Sequence, residues 1–198
     1  MLAFVPSAAK RILDVGCGEG TFGRHMKETL NAEVWGVELV SSIAQVAGTQ
    51  LDRVLCGDIM QQLEQLPDGY FDCITFNDVI EHLVDPYRML VAIKQKLSPD
   101  GVVVCSIPNV RSFRNLFELV IRGEWRYVEA GILDKTHLRF FTKKSISEMF
   151  PSLGYRIVRL EGINPTRSWA VTIFNIATFG FFNDTRYLQF GCVAKALH

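Results

Sequence analysis

The chain predicts an α/β protein, a parallel sheet wrapped by helices, and three observations carry that expectation. Strand-like and helix-like segments alternate from Ile12 to Asn109, the rhythm of β-strands joined by crossover helices. The first strand, Ile12-Leu13-Asp14-Val15, runs straight into Gly16-Cys17-Gly18-Glu19-Gly20 and a helix start. The next strands each stop at an acid or amide, where open α/β sheets gather their ligands.

The elements follow in order. Glycines at alternate positions let backbone approach a ligand where a Cβ would collide. Thr21 takes the place of the last glycine of a dinucleotide fingerprint, which disfavours a nicotinamide oxidoreductase. A helix is expected over Phe22–Leu30. The second strand, Glu33 to Leu39, brings in Glu38 about 20 residues past the loop, where an acid takes the two hydroxyls of a ribose. A helix over Ser41–Gln50 leads to a third strand, Val54-Leu55-Cys56, stopped by Gly57-Asp58. A short helix over Met60–Gln65 precedes the fourth strand, Phe71 to Asn77, which continues into Asp78-Val79-Ile80-Glu81-His82. Asp85 caps and Pro86 begins a helix reaching Leu97, with Leu90, Ile93 and Leu97 as its apolar stripe. Ser98–Gly101 reads as a turn, and Val102 to Asn109 as the fifth strand.

Beyond Asn109 the texture changes. Residues 111–141 are rich in arginine and aromatics and fall after a strand end, so they are expected to form a lid over the ligand crevice. Thr142–Leu153 reads as a capped helix with Ile146, Met149 and Phe150 inward. Tyr155–Ile163 and Tyr187–Ala196 are late strands joined by the Pro165–Thr185 excursion.

Composition bounds the function. The 198 residues suit one domain spanning 1–198, and 48% apolar content excludes disorder. A formal net charge of zero argues against nucleic acid as partner. Cys17, Cys56, Cys73, Cys105 and Cys192 lack disulfide or metal spacing, which points to small buried residues in a reducing, cytoplasmic setting. No signal peptide is visible. The apolar tract Trp169–Phe182 is too short to span a bilayer. It reads as a helix packed on the sheet or on a partner, whether a second copy or a fused domain. Phe179, Phe181 and Phe182 keep a membrane-surface role open.

The Leu-Asp-Val-Gly-x-Gly-x-Gly run, followed by Glu38 and Gly57-Asp58, resembles the class I methyltransferases that use S-adenosylmethionine. The resemblance implies a Rossmann-like, seven-stranded, mostly parallel sheet of order 3-2-1-4-5-7-6 with helices on both faces. Its late strands form an antiparallel hairpin at the edge. Asp14, Gly16, Cys17, Gly18 and Gly20 would surround the methionine moiety, Glu38 would hold the ribose, Asp58 the adenine amine and Ile59 the ring face, with Leu39 and Asn77 as further cofactor-binding residues. The family carries N-terminal helices that this sequence lacks, which points to a domain cut from a longer protein or an open site.

Asn77-Asp-Val-Ile-Glu-His-Leu, Ile107-Pro-Asn and Asp134-Lys-Thr-His-Leu-Arg-Phe-Phe-Thr resemble a bacterial methyltransferase subfamily linked to sugar and cell-surface glycan biosynthesis. A hydroxyl of a small or glycan-linked acceptor is the implied target. Methyl transfer to a hydroxyl needs positioning and proton removal. His82 and His137 are the candidate bases, with Asp78 and Glu81 beside them. The plainer roles are that Asp78 orients backbone, Glu81 caps a turn, His82 packs, and His137 bonds a lid carbonyl. Ubiquinone-pathway and small-RNA O-methyltransferases carry Glu-x-x-Glu-His here and bind a divalent cation. By that resemblance Asp78, Glu81, His82 and His137 form an alternative set for Mg²⁺ or Mn²⁺. The rival from another class is a cofactor-binding module without turnover, serving a fused or partner enzyme.

Overall fold

The computed structural model describes residues 1–197. Seven strands form one sheet: β1 (Arg11–Val15), β2 (Glu33–Glu38), β3 (Arg53–Cys56), β4 (Phe71–Asn77), β5 (Leu97–Pro108), β6 (Tyr155–Pro165) and β7 (Tyr187–Ala196). Their order is β3-β2-β1-β4-β5-β7-β6, as expected. Strands β1 to β5 pair in parallel, and β7 runs antiparallel between β5 and β6. The helices are α1 (Thr21–Leu30), α2 (Ser41–Ala47), α3 (Ile59–Gln62), α4 (Pro86–Ile93), α5 (Phe113–Arg122), α6 (Lys143–Ser152) and α7 (Trp169–Ala177).

Side chains alternate across each strand, so the sheet feeds two cores. Ile12 joins Met26, Val34, Cys73 and Val104 on the α1 face. Leu13 and Val15 join Ile74, Phe76, Leu90 and Phe150 on the other. Each large apolar side chain buried this way contributes about 1.5–3 kcal/mol. The helix starts are fixed chemically. Asp58 Oδ1 accepts the Met60 N–H and Asp85 Oδ1 the Arg88 N–H, both at 2.9 Å. Thr142 and Ser145 form a reciprocal capping box for α6.

Four expectations are corrected. Ser98–Gly101 is not a separate turn: it bulges within β5, whose pairing jumps from Phe71↔Leu97 to Cys73↔Val102. A Cβ at Gly101 would sit 2.8 Å from the Phe71 carbonyl oxygen, so the bulge requires glycine. The helix from Pro86 ends at Ile93, and a 3₁₀ turn over Lys94–Lys96 swings Leu97 into the sheet. The helix from Ser41 closes at Ala47, before Gly48. Cys56, at the end of the edge strand β3, is exposed, whereas the other four cysteines are buried free thiols.

The excursion between β6 and β7 contains α7. It packs on α5, with Phe174 and Phe113 ring centroids 5.2 Å apart. Its outer residues Trp169, Ile173 and Ile176 face solvent. Among the described residues, no helix is long and apolar enough to cross a membrane.

Candidate functional site

The C-terminal ends of β1 to β4 converge on one crevice. Gly16, Gly18 and Gly20 all take left-handed backbone, with φ of 69°, 55° and 84°. The Gly16 and Cys17 N–H groups both donate to the Val37 carbonyl, at 2.8 and 3.1 Å, and hook the loop over β2. Glu38 then clamps it: Oε2 accepts the Gly18 N–H at 3.0 Å and Oε1 the Val40 N–H at 2.9 Å. The Gly57 N–H donates to the Glu38 carbonyl at 2.9 Å and brings the β3 end alongside. Beyond β4, Val79 Cγ2 lies 2.6 Å from where a Gly16 Cβ would stand. Glu38 and Asp58 thus belong to one neighbourhood.

The crevice fits a cofactor rich in donors. A Cβ at Gly18 would meet nothing within 4 Å, so the loop is open on its outer side. Asn77 Oδ1 is buried with no hydrogen-bond partner. Asp58, exposed at the rim, has given only Oδ1 to its cap. Leu39 is exposed beside Glu38.

Three of the expected site residues, Asp14, Cys17 and Ile59, have buried side chains. Asp14 is buried in β1 and accepts from the Thr75 hydroxyl at 2.5 Å; burial pushes its carboxyl up to about 6, so it braces the loop from within the sheet. The Cys17 side chain turns into the α1-side core, and burial, with Asp14 and Glu38 nearby, pushes its thiol up to about 12. Its N–H joins the hook over β2, and its thiol donates to the Gly18 carbonyl at 3.7 Å. Ile59 is 5% exposed because the first turn of α3 points it into the larger core.

A second group lies past β4. Asp78 takes φ of 53°, unusual for a side chain other than glycine. Its N–H reaches the Ser106 carbonyl and hydroxyl oxygens at 3.2 and 3.1 Å, and its carboxylate accepts from the Gln189 amide. Burial raises its pKa, and the Ser106 and Gln189 hydrogen bonds oppose the rise. Glu81 is 1% exposed and neither carboxyl oxygen has a partner. Burial, with the Asp78 charge adding to it, pushes its pKa up to about 8.

The loop after α5 closes on this acid. The Leu138 and Arg139 N–H groups donate to the Glu81 carbonyl at 2.9 and 3.0 Å. His137 Nδ1 lies 3.0 Å from the Ile132 carbonyl, which can only accept, so Nδ1 carries the hydrogen. Nε2 is left with its lone pair 3.9 Å from Glu81 Oε1. His82 is exposed, with Nδ1 3.2 Å from the Thr136 carbonyl, and its ring meets His137 edge-on at 4.7 Å. His137 therefore does bond a carbonyl of the loop after α5, whereas the side chain of Glu81 caps nothing.

Ligand atoms of Glu81, His82 and His137 lie within 4.8 Å of one another. Asp78 is absent from that group, which corrects the four-residue metal set: its left-handed backbone directs the carboxylate to Gln189 on β7. Sequence reasoning missed Gln189, whose only signal was a polar side chain in an apolar late strand. It also missed Asn109 as a tie between the end of β5 and the chain entering β7. The Asn109 amide donates to the Asp184 and Tyr187 carbonyls at 3.0 Å each, and its Oδ1 accepts the Arg111 N–H.

Comparison with known proteins agrees with this geometry. Residues 2–160 match a family described as a methyltransferase domain. A ubiquinone biosynthesis O-methyltransferase of Cereibacter sphaeroides is 25% identical over 98% of the chain and 75% of its own length. One from Yersinia enterocolitica is 32% identical over 59% of the chain and 49% of its own length. Among solved structures, a SAM-dependent methyltransferase from Archaeoglobus fulgidus superposes with a TM-score of 0.69 at 22% identity, covering 96% of this chain and 87% of that one. One from Mesorhizobium loti gives 0.66 at 19% identity, covering 98% and 94%. With a glycine loop clamped by an acid, the 3-2-1-4-5-7-6 sheet and a family match over most of its length, the chain belongs to the methyltransferase domain family and has the fold of the S-adenosylmethionine-dependent enzymes.

Proposed function

We propose that the protein transfers a methyl group from S-adenosylmethionine to a hydroxyl of a small or glycan-linked acceptor. The observation that carries this reading is the unpaired, buried carboxyl of Glu81 facing the free Nε2 of His137, just past the crevice. The relatives named as O-methyltransferases support oxygen as the target. S-adenosylmethionine supplies a methyl carbon already activated on a sulfonium. Glu38 would hold the ribose hydroxyls, Asp58 the adenine amine, and the Gly16–Gly20 loop with Asn77 the amino-acid end.

Nε2 of His137 then takes the acceptor's hydroxyl proton, because Nδ1 is committed to the Ile132 carbonyl. The carboxylate form of Glu81, which predominates only above about pH 8, stabilises the imidazolium that results, as an acid beside a catalytic histidine does. His82, exposed against the His137 ring, is the alternative base. Substituting His137→Ala should lower turnover about 100-fold or more while calorimetry shows S-adenosylmethionine binding unchanged. Full turnover in both His137→Ala and His82→Ala would place proton removal elsewhere.

One observation favours a second role for the same side chains: Glu81, His82 and His137 are close enough to share a divalent cation. Mn²⁺ tolerates imidazole better than Mg²⁺. Because Glu81 holds its proton at pH 7, Mn²⁺ binding should release that proton. Calorimetry in buffers of different ionisation enthalpy measures the release. Activity unchanged by chelation and by added Mn²⁺ would remove the metal from the reaction.

A further inference from the structure

Helix α5 and the loop that follows it enclose a cavity of about 630 Å³, lined by Ser112, Arg114 and Arg122 on one side and Val128, Ile132 and Leu133 on the other. We propose that this cavity binds the acceptor by an anionic oxygen group, a carboxylate or phosphate, with the acceptor's apolar body against Val128, Ile132 and Leu133. The proposal rests on the methyl-transfer reading and names the substrate class for it.

Four features converge. Ser112 is 1% exposed, yet its hydroxyl has no hydrogen-bond partner. A buried hydroxyl normally finds one, so an unpaired O–H on a cavity wall marks a place for an acceptor atom. Ser112 also stands at the N-cap of α5 but makes no side-chain cap bond, which leaves the first-turn N–H groups and the positive helix end unanswered.

Charge is the third feature. Arg122 pairs with Glu118 at 3.1 Å and Arg126 with Glu124 at 3.7 Å, and all four residues line the cavity. Arg114 faces the same space and has no carboxylate partner among the described residues. Three guanidiniums against two carboxylates leave a positive balance that suits an anion. The fourth feature is position. Ile132, which lines the cavity, holds His137 through its carbonyl at 3.0 Å from Nδ1, so the cavity and the proposed base share one residue of the loop.

Calorimetric titration tests this with hexyl phosphate and hexanoate as probes, 1-hexanol as the neutral control, and S-adenosylmethionine on the same samples. At least one anionic probe should bind about tenfold tighter than hexanol. Arg114→Gln should remove about tenfold of that affinity and leave hexanol binding unchanged. Ser112→Ala should weaken the anion about threefold. A preference for hexyl phosphate identifies a phosphorylated acceptor, and a preference for hexanoate a carboxylated one. Equal affinity for anions and hexanol, no binding of any probe, or an Arg114→Gln variant that behaves as the parent overturns the proposal. S-adenosylmethionine binding without anion preference rejects the cavity alone. Anion preference without S-adenosylmethionine binding rejects the methyl-transfer reading, and with it the acceptor role.

Discussion

A carboxyl whose two oxygens touch no donor, as in Glu81, is costly to ionise, and the folded chain holds on to its proton longer than the unfolded chain does. The folded pKa of about 8 lies above the ordinary 4.5, so the native state binds more protons between those values. Stability attributable to Glu81 is therefore full below pH 4.5 and is lost as pH rises toward 8, by on the order of a few kcal/mol. Glu81→Gln should flatten that slope in urea titrations between pH 5 and 8; an unchanged slope would mean that the acid is already solvated. Turnover should rise as pH increases through about 8, where Glu81 ionises, and that limb should be shifted or absent in Glu81→Gln. Glu38 is the opposite kind of acid, with each oxygen already accepting a backbone N–H. Hydrogen bonds to a charged group contribute about 1.5–3 kcal/mol each. Glu38→Ala should then weaken S-adenosylmethionine tenfold or more in calorimetry, and an unchanged dissociation constant would count against the assignment.

At the scale of elements, the loop between α5 and α6 is held by a few backbone staples. Two N–H groups converge on the Glu81 carbonyl, and Asn109 ties the end of β5 to the chain entering β7 and to Arg111. Asn109 is fully buried, so its removal leaves two carbonyls and an N–H without their partner. Asn109→Ala should destabilise the fold by about 1–3 kcal/mol and raise hydrogen exchange in residues 110–141 above that of β1 to β4. Equal protection in the two regions would show that the loop does not depend on this lock. Helix α6 owes less to such long-range ties, because its own Thr142–Ser145 box fixes its start.

Across the whole molecule, the two cores share one sheet, and unfolding should be a single transition. Phe150 is fully buried in the larger core and meets the Tyr155 ring edge-on at 5.8 Å. Phe150→Ala should cost about 3–5 kcal/mol and shift the transition seen by circular dichroism and by tryptophan fluorescence equally. Separate midpoints would mean that the cores unfold independently. Much of this architecture was legible in the sequence, because β1 to β4 end in distinctive residues: Gly16 to Gly20, Glu38, Gly57-Asp58 and Asn77. What escaped was set by contacts distant in sequence. The burial of Ile59 follows from how α3 packs, and Asp78 looked like a metal ligand until Gln189, on β7, took its carboxylate. The Ser98–Gly101 bulge carries turn residues, and only its pairing with Phe71 shows that the strand continues through it.

The Glu38 clamp reaches into kinetics. Because Gly18 and Val40 are already tied to it, the glycine loop has its shape before any molecule arrives. An incoming adenosyl compound then meets a rigid receptor, and its capture should follow simple bimolecular behaviour, with observed rates in stopped flow rising linearly with concentration and no saturating phase.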